Sequence, residues 1–233
     1  ALEYIMSQKH PGLKVMDSGL LFADGGRDKA ITWMNSVVNG RSVVPRSGYI
    51  VEFNAAWYNA LCFSREMNGE ATDKRIDKLI SAINVSFPNT FVNGYNYLFD
   101  YVNGSFVDWS VRPNMIFAVA LPYSPLTRMQ MRSVLDIVTK ELLTPKGIRS
   151  LSPKSEGYRP YCTGPQVERD LAYHQGTAWP WLLGAYLEAY CIGTISEIYD
   201  GNPPFTGRGA ISFAMNVAAI LRIEEMLKKY NAE

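Results

Sequence analysis

Val51-Glu52-Phe53-Asn54-Ala55-Ala56-Trp57-Tyr58-Asn59-Ala60-Leu61 is the stretch on which the fold class turns. From Ala55 to Met67 the spacing is helical, with Trp57, Ala60, Leu61 and Ser64 on one face. Asn68-Gly69 supplies the stop signal. A second helix starts at Thr72-Asp73 and aligns Ile76, Leu79, Ile80 and Ile83. Further helices are expected after Arg112-Pro113, from Leu126 to Leu142, from Thr177 to Cys191 and from Gly209 to Lys229. The connections alternate between tight turns and long loops. Residues 7–50 are Gly-rich and irregular, a long loop or short-strand region. Residues 86–111 hold a helix end and a short hairpin, and residues 148–173 form a polar and aromatic loop. No strand–helix alternation of the Rossmann or TIM type is visible. The expectation is an all-α fold of about six helices, one domain over residues 1–233.

Composition narrows the function classes. The chain has 233 residues, and 23 basic residues face 22 acidic ones, so no basic face for nucleic acid is implied. No apolar run approaches the ~20 residues of a membrane span. Three cysteines, Cys62, Cys162 and Cys191, form no C-x-x-C pair, so neither a disulfide framework nor a zinc site is expected. A reducing, cytoplasmic setting follows more easily. There is no Gly-x-Ser-x-Gly elbow, and Asp24-Gly25-Gly26-Arg27-Asp28 lacks the Lys-Ser/Thr ending of a P-loop. No cofactor is indicated. Aromatic residues make up 12% of the chain, which suits a sugar site, because a pyranose offers apolar C–H faces to rings. Ala1 at the start and a helix-like Leu2–Met6 suggest a natural protein that continues upstream.

Four segments carry polar and aromatic residues that helix formation does not require: Thr32-Trp33-Met34-Asn35 with the run from Pro45 to Leu61; Val111-Arg112-Pro113-Asn114; Arg169 to Gly184, including Tyr173-His174-Gln175-Gly176-Thr177-Ala178-Trp179-Pro180-Trp181; and Ile195-Ser196-Glu197-Ile198-Tyr199-Asp200-Gly201. In order and wording they resemble the carboxy-terminal part of the amylo-α-1,6-glucosidase family, the glucosidase portion of glycogen debranching enzymes. That resemblance implies an (α/α)6 toroid of which this chain would be half, completed by an upstream domain or a homo-oligomer. It implies hydrolysis of glycogen or another branched α-glucan by two carboxyl groups, one donating a proton and one activating water.

Within that resemblance Glu197 is the expected general base. Asn35 stands where the family has an Asp proton donor after Thr-Trp-Met, and an amide cannot donate a proton as an acid. Another carboxyl group such as Glu52 or Asp170 is the alternative acid, or the acid lies at a position other than that of Asn35. The other readings are a non-catalytic glucan-binding or structural half-domain, and another α/α-toroid glycosidase acting on a different oligosaccharide. Trp33, Glu52, Asn54, Trp57, Arg112, Tyr173, His174, Gln175 and Trp179 are the expected sugar contacts. Each has a plainer structural reading. Glu52 could pair with Arg46 or Arg112. Asn114 is expected to cap the helix that follows it. Asp170 could pair with its neighbour Arg169. Of Trp179 and Trp181, one would stack on sugar and the other fill the core. His174 has no second ligand nearby for a metal.

Overall fold

In the computed structural model the described residues are 2–191 and a two-residue ribbon at 198–199 and 207–208. A short α1 (Leu2–Met6) leads into β1 (Leu13–Val15) and β2 (Leu21–Ala23). A hairpin of β3 (Val37–Val38) and β4 (Arg41–Ser42) turns through Asn39-Gly40. Both turn residues have positive φ, 50° and 75°, as a type I′ turn requires. Strand β5 (Gly48–Ile50) runs directly into α2 (Val51–Asn68), and a 3₁₀ turn at Gly69–Ala71 leads to α3 (Lys74–Phe91). Next come the hairpin β6 (Tyr101–Asn103) and β7 (Phe106–Val107), a 3₁₀ turn at Pro113–Ile116, and α4 (Phe117–Ala120). The remainder comprises α5 (Arg128–Glu141), the hairpin β8 (Leu143–Thr144) and β9 (Gly147–Arg149), α6 (Gln166–Ala172), β10 (Ala178–Trp179) and α7 (Leu182–Cys191).

The architecture is mixed α/β, which corrects the all-α expectation and the helical ring built upon it. An antiparallel sheet of five strands runs in the order β1-β2-β5-β6-β7, and a second sheet of three runs β10-β9-β8. The strands are two or three residues long, too short to print a period-two alternation in the sequence. Their partners and glycines define them instead. At Gly48 (φ +99°) a Cβ would stand 2.4 Å from the Val102 carbonyl oxygen of β6, so only glycine lets the two strands close.

The helical hairpin holds the centre of the core. In α3 the residues Ile76, Ile80, Ile83, Phe87 and Phe91 are buried at helical spacing. Asp73 caps the start of this helix by accepting from the Arg75 amide. The helix runs on through Pro88, past the expected break near residue 86, because the proline sits in the last turn. From α2 come Val51, Ala55, Trp57, Tyr58 and Leu61, packed against α3 on one side and α4 on another. Thr127 and Gln130 close a capping box that starts α5, whose Val134, Leu135 and Val138 complete the core. The expected loop 148–173 contains α6, and the expected helix from Thr177 is a strand, β10, before α7 begins. The expected last helix, 209–229, lies outside the described residues.

Candidate active site

Three of the four singled-out segments meet. The indole N–H of Trp33 donates to Asn114 Oδ1 at 2.7 Å, across 81 positions of chain. Asn114 Nδ2 donates in turn to Asp100 Oδ1 at 2.7 Å. Asn114 is fully buried and caps nothing, and the 3₁₀ turn it occupies has no side-chain cap. The expected capping role is therefore replaced by a bridge between Trp33 and Asp100. Asp100 Oδ2 lies 2.8 Å from Arg46 Nε, an ion pair in contact but out of line for a hydrogen bond. Arg46 also holds Glu52 in a two-pronged grip, Nη1 to Oε1 at 2.5 Å and Nη2 to Oε2 at 2.7 Å. Glu52 thus takes Arg46 as its partner, not Arg112.

Burial and charge oppose each other in this knot. Burial works against the charge on Arg46, but Asp100 and Glu52 more than offset it and hold its pKa above the usual range. Burial pushes the Asp100 carboxyl up from its ordinary value, and Arg46 pulls it back only in part.

Arg112 is the second tie. It is buried, and its Nη1 donates to the carbonyls of Ser150 (3.1 Å) and His174 (2.9 Å), while Nη2 donates to Gln175 Oε1 (2.7 Å). The backbone of 173–177 is thereby fixed against the 111–114 turn. Gly176 (φ +137°) lies so close to the Tyr158 ring that a Cβ would stand 2.5 Å from it.

Above these ties stands a cluster of rings. Trp33 is met edge-on by His174, Trp179 and Trp181, with centroids 5.2, 5.4 and 5.2 Å away. His174 stacks on Trp179 at 5.1 Å, with 11° between the planes. Tyr173 and Trp181 remain about half exposed, so the cluster opens to solvent at its sides. His174 is 1% exposed, and neither ring nitrogen has a hydrogen-bond partner. Burial, helped by the nearby Arg112 cation, lowers its pKa to about 4 and keeps it neutral at neutral pH.

Asn35 is exposed beside Trp33. The next residue, Ser36, donates from Oγ to the Asp170 carbonyl at 2.5 Å, which draws the end of α6 to the Asn35 turn. The Asp170 carboxylate accepts from Gln166 Nε2 at 2.8 Å, while Arg169 turns away to Gly164 and Gln166. Asn54 and Trp57 lie elsewhere. Asn54 is fully buried and bonds the backbone of Leu21 and Ile50, and the Trp57 indole donates to the Gly19 carbonyl at 3.0 Å. Both stitch α2 to the turn before β2. Glu197 lies outside the described residues. Among the described residues no three His, Cys, Asp or Glu side chains converge as metal ligands, and no helix is long and apolar enough to cross a membrane.

Sequence reasoning missed Asp100, which sits in a Phe-Asp-Tyr run with nothing to mark it. Trp181 was one of two candidates for exposure, and its position after Pro180, outside the regular helix, leaves it 50% exposed.

Comparison with known proteins gives a consistent family. The glycogen debranching enzyme of Saccharomyces cerevisiae is 34% identical over 91 residues, a match covering 36% of this chain and 6% of the yeast protein. The chain therefore corresponds to a small part of the curated relative it matches. A family model for amylo-alpha-1,6-glucosidase matches residues 2–192, which includes the Trp33, Arg112 and His174 segments that the fold brings together. The chain belongs to the amylo-alpha-1,6-glucosidase family.

Proposed function

We propose that the chain forms part of a glycoside hydrolase site that removes α-1,6-linked glucose from branched α-glucans with inversion. The observation that carries this reading is the ring cluster around Trp33, tied from below by Asn114 and Arg112 and bordered by Asn35 and the end of α6. Ring faces at the open sides, Trp181 and Tyr173, suit the apolar face of a glucose unit.

Asp170 is the acid in this scheme. Of the two alternatives to Asn35, Glu52 is buried and gripped by Arg46, so it is held as an acceptor. Asp170 is partly exposed and adjoins the Asn35 turn. It would protonate the glycosidic oxygen as the C1–O bond breaks, with the Asn35 amide donating a hydrogen bond to the same oxygen. Glu197 would take a proton from the water that attacks C1 on the opposite face. Such pairs stand roughly 6.5–9.5 Å apart. His174 is neutral and buried, so its part is to shape the wall rather than carry protons.

Glucose release from a phosphorylase-limit dextrin tests the scheme. Glu197→Gln and Asp170→Asn are each expected to lower the rate about 100-fold or more. A rate unchanged in Asp170→Asn would remove that residue from the mechanism. The amide at Asn35 favours a second reading, in which the site binds glucan without cleaving it. That reading predicts maltooligosaccharide binding without glucose release, and a gain of activity in Asn35→Asp.

A further inference from the structure

A second aromatic surface lies on the β6–β7 hairpin. From Tyr97 to Asn103 burial alternates: Leu98, Asp100 and Val102 are buried, while Tyr97, Phe99 and Tyr101 are partly buried and Asn103 is exposed. Trp109 meets Phe99 edge-on at 4.6 Å and Tyr95 at 6.4 Å. Tyr95 stacks on Tyr97 at 6.0 Å with 13° between the planes, and Phe106 lies 5.5 Å from Tyr101 across the hairpin. Four rings, Tyr97, Tyr95, Trp109 and Phe99, thus form one linked group, and Tyr101 and Phe106 form a pair on the adjoining hairpin. Tyr95 is 72% exposed, Phe106 55% and Trp109 50%.

The Tyr101–Phe106 pair borders a cleft of about 370 Å³, within the size range of small-molecule sites, lined also by Arg27, Pro45, Ser47 and Asn103. The rings are held in place beforehand. Asn93 Oδ1 accepts from the Tyr95 amide at 2.9 Å, the Asn93 amide donates to the Tyr97 carbonyl at 2.9 Å, and Asn96 takes a left-handed conformation at φ 62°.

We infer that this face is a second, non-catalytic binding surface for a linear α-glucan segment. The inference rests on the glucan specificity proposed above. The chemistry of the face selects a neutral, repeating ligand. The charges near the face are of both signs, Arg27 in the cleft and Lys154 near Tyr97 against Asp108 near Tyr101 and Glu141 near Tyr97, so no single sign selects an ionic ligand. The polar groups it offers are tyrosine hydroxyls and the Asn103 amide, which can exchange hydrogen bonds with sugar hydroxyls. Aromatic faces dominate this surface, with Pro45 the one aliphatic side chain among the described residues of the cleft lining, and they match pyranose faces better than a protein partner's mixed apolar surface.

Retardation in native gels containing glycogen, with maltoheptaose titrations alongside, tests the surface. The paired variant Tyr95→Ala/Trp109→Ala should bind both glucans roughly tenfold more weakly than the unmodified protein. Phe106→Ser, at the exposed hairpin tip, should weaken binding in the same direction, so a fold defect in the paired variant would not hide the effect. If these variants bind as the unmodified protein does while Trp33→Ala loses binding, the second surface is refuted and the site around Trp33 stands. If the unmodified protein is not retarded by glycogen at all, the glucan reading itself falls and this inference with it. If the unmodified protein sediments as a dimer and the paired variant as a monomer, the face joins two copies of the chain and the inference is overturned.

Discussion

Replacing Arg46 by Met removes the cation at the centre of the buried knot while keeping most of its volume. The Arg46 side chain is fully buried, with Glu52 9% and Asp100 1% exposed at the side chain, so both carboxylates would lose their cation with little water to replace it. The Asp100 carbonyl also loses a donor, Arg46 Nη2 at 3.1 Å. Breaking a buried ion pair from one side costs about 3–5 kcal/mol. For a chain of this size that corresponds to a melting temperature lower by roughly 6–20 °C. The loss should depend on pH. Asp100 already has a folded-state pKa raised above its ordinary value, to about 6, by burial, and Arg46 is the main group pulling it down. Without Arg46 it rises further. A raised folded-state pKa means that the native state holds the proton more tightly than the unfolded state, so stability declines as pH rises through the shifted value. Urea denaturation at pH 5 and pH 8 should therefore show a larger deficit at pH 8. Adding Asp100→Asn to Arg46→Met should recover part of it, the coupling being read from a double-mutant cycle. A deficit below about 1 kcal/mol, or one equal at the two pH values, would refute the picture of a desolvated carboxylate held by a single guanidinium.

Three other substitutions probe separate parts of the fold. His174→Phe replaces an imidazole with two unpartnered nitrogens by an apolar ring of similar shape, which should leave stability unchanged or raise it by up to about 1 kcal/mol at pH 7. The unmodified protein should lose stability as pH falls from 6.5 toward about 4, because the unfolded imidazole takes a proton that the folded one refuses. His174→Phe should flatten that limb of a melting-temperature profile, and an identical acid limb in the variant would exclude His174 as its source. Gly48→Ala forces a Cβ against the Val102 carbonyl in a left-handed conformation and should cost about 3 kcal/mol or more by chemical denaturation. Gly40→Ala has the same kind of φ but open space around it, so it should cost about 1–2 kcal/mol, and equal losses at the two sites would argue against the close approach of β5 and β6.

The helices were legible where burial imposes a period. Ile76, Ile80 and Ile83 on α3 and Val134, Leu135 and Val138 on α5 fall on the faces their spacing marks. The sheet was not, because each strand is shorter than one readable alternation and the pairing joins segments far apart, such as Tyr49 with Val102. One local signal was present but went unread: Asn39-Gly40 between Val37-Val38 and Arg41-Ser42 is a two-residue hairpin sequence. The site divides along the same line. Trp33, Arg112, His174, Gln175 and Trp179 could be singled out because aromatic and polar residues cluster where a helix does not need them. Asp100 and the role of Asn114 could not, since a hydrogen bond between residues 14 or 81 positions apart leaves no trace in local composition.

The buried polar chain has a cost that an apolar core would avoid, since well-packed hydrophobic groups in place of a buried ion pair often leave a protein equally or more stable. Its value here is directional. Glu52 lies on α2, Arg46 before β5, Asp100 before β6, Asn114 in a 3₁₀ turn and Trp33 in the loop ahead of β3. Apolar contacts would hold these five pieces together without fixing the rotation of the indole. A donor–acceptor chain fixes it, because the Trp33 N–H has one acceptor and that acceptor's amide has its own. Arg112 does the same for the opposite wall through three oxygen acceptors, the carbonyls of Ser150 and His174 and the Gln175 side chain. Trp33 and His174 are therefore set at a defined angle, 88° between planes, by buried groups beneath them. Asn35, two residues beyond Trp33, inherits that placement. In the proposed hydrolase scheme, presenting an amide and a carboxylate to one glycosidic oxygen would need that orientation more than the lost stability.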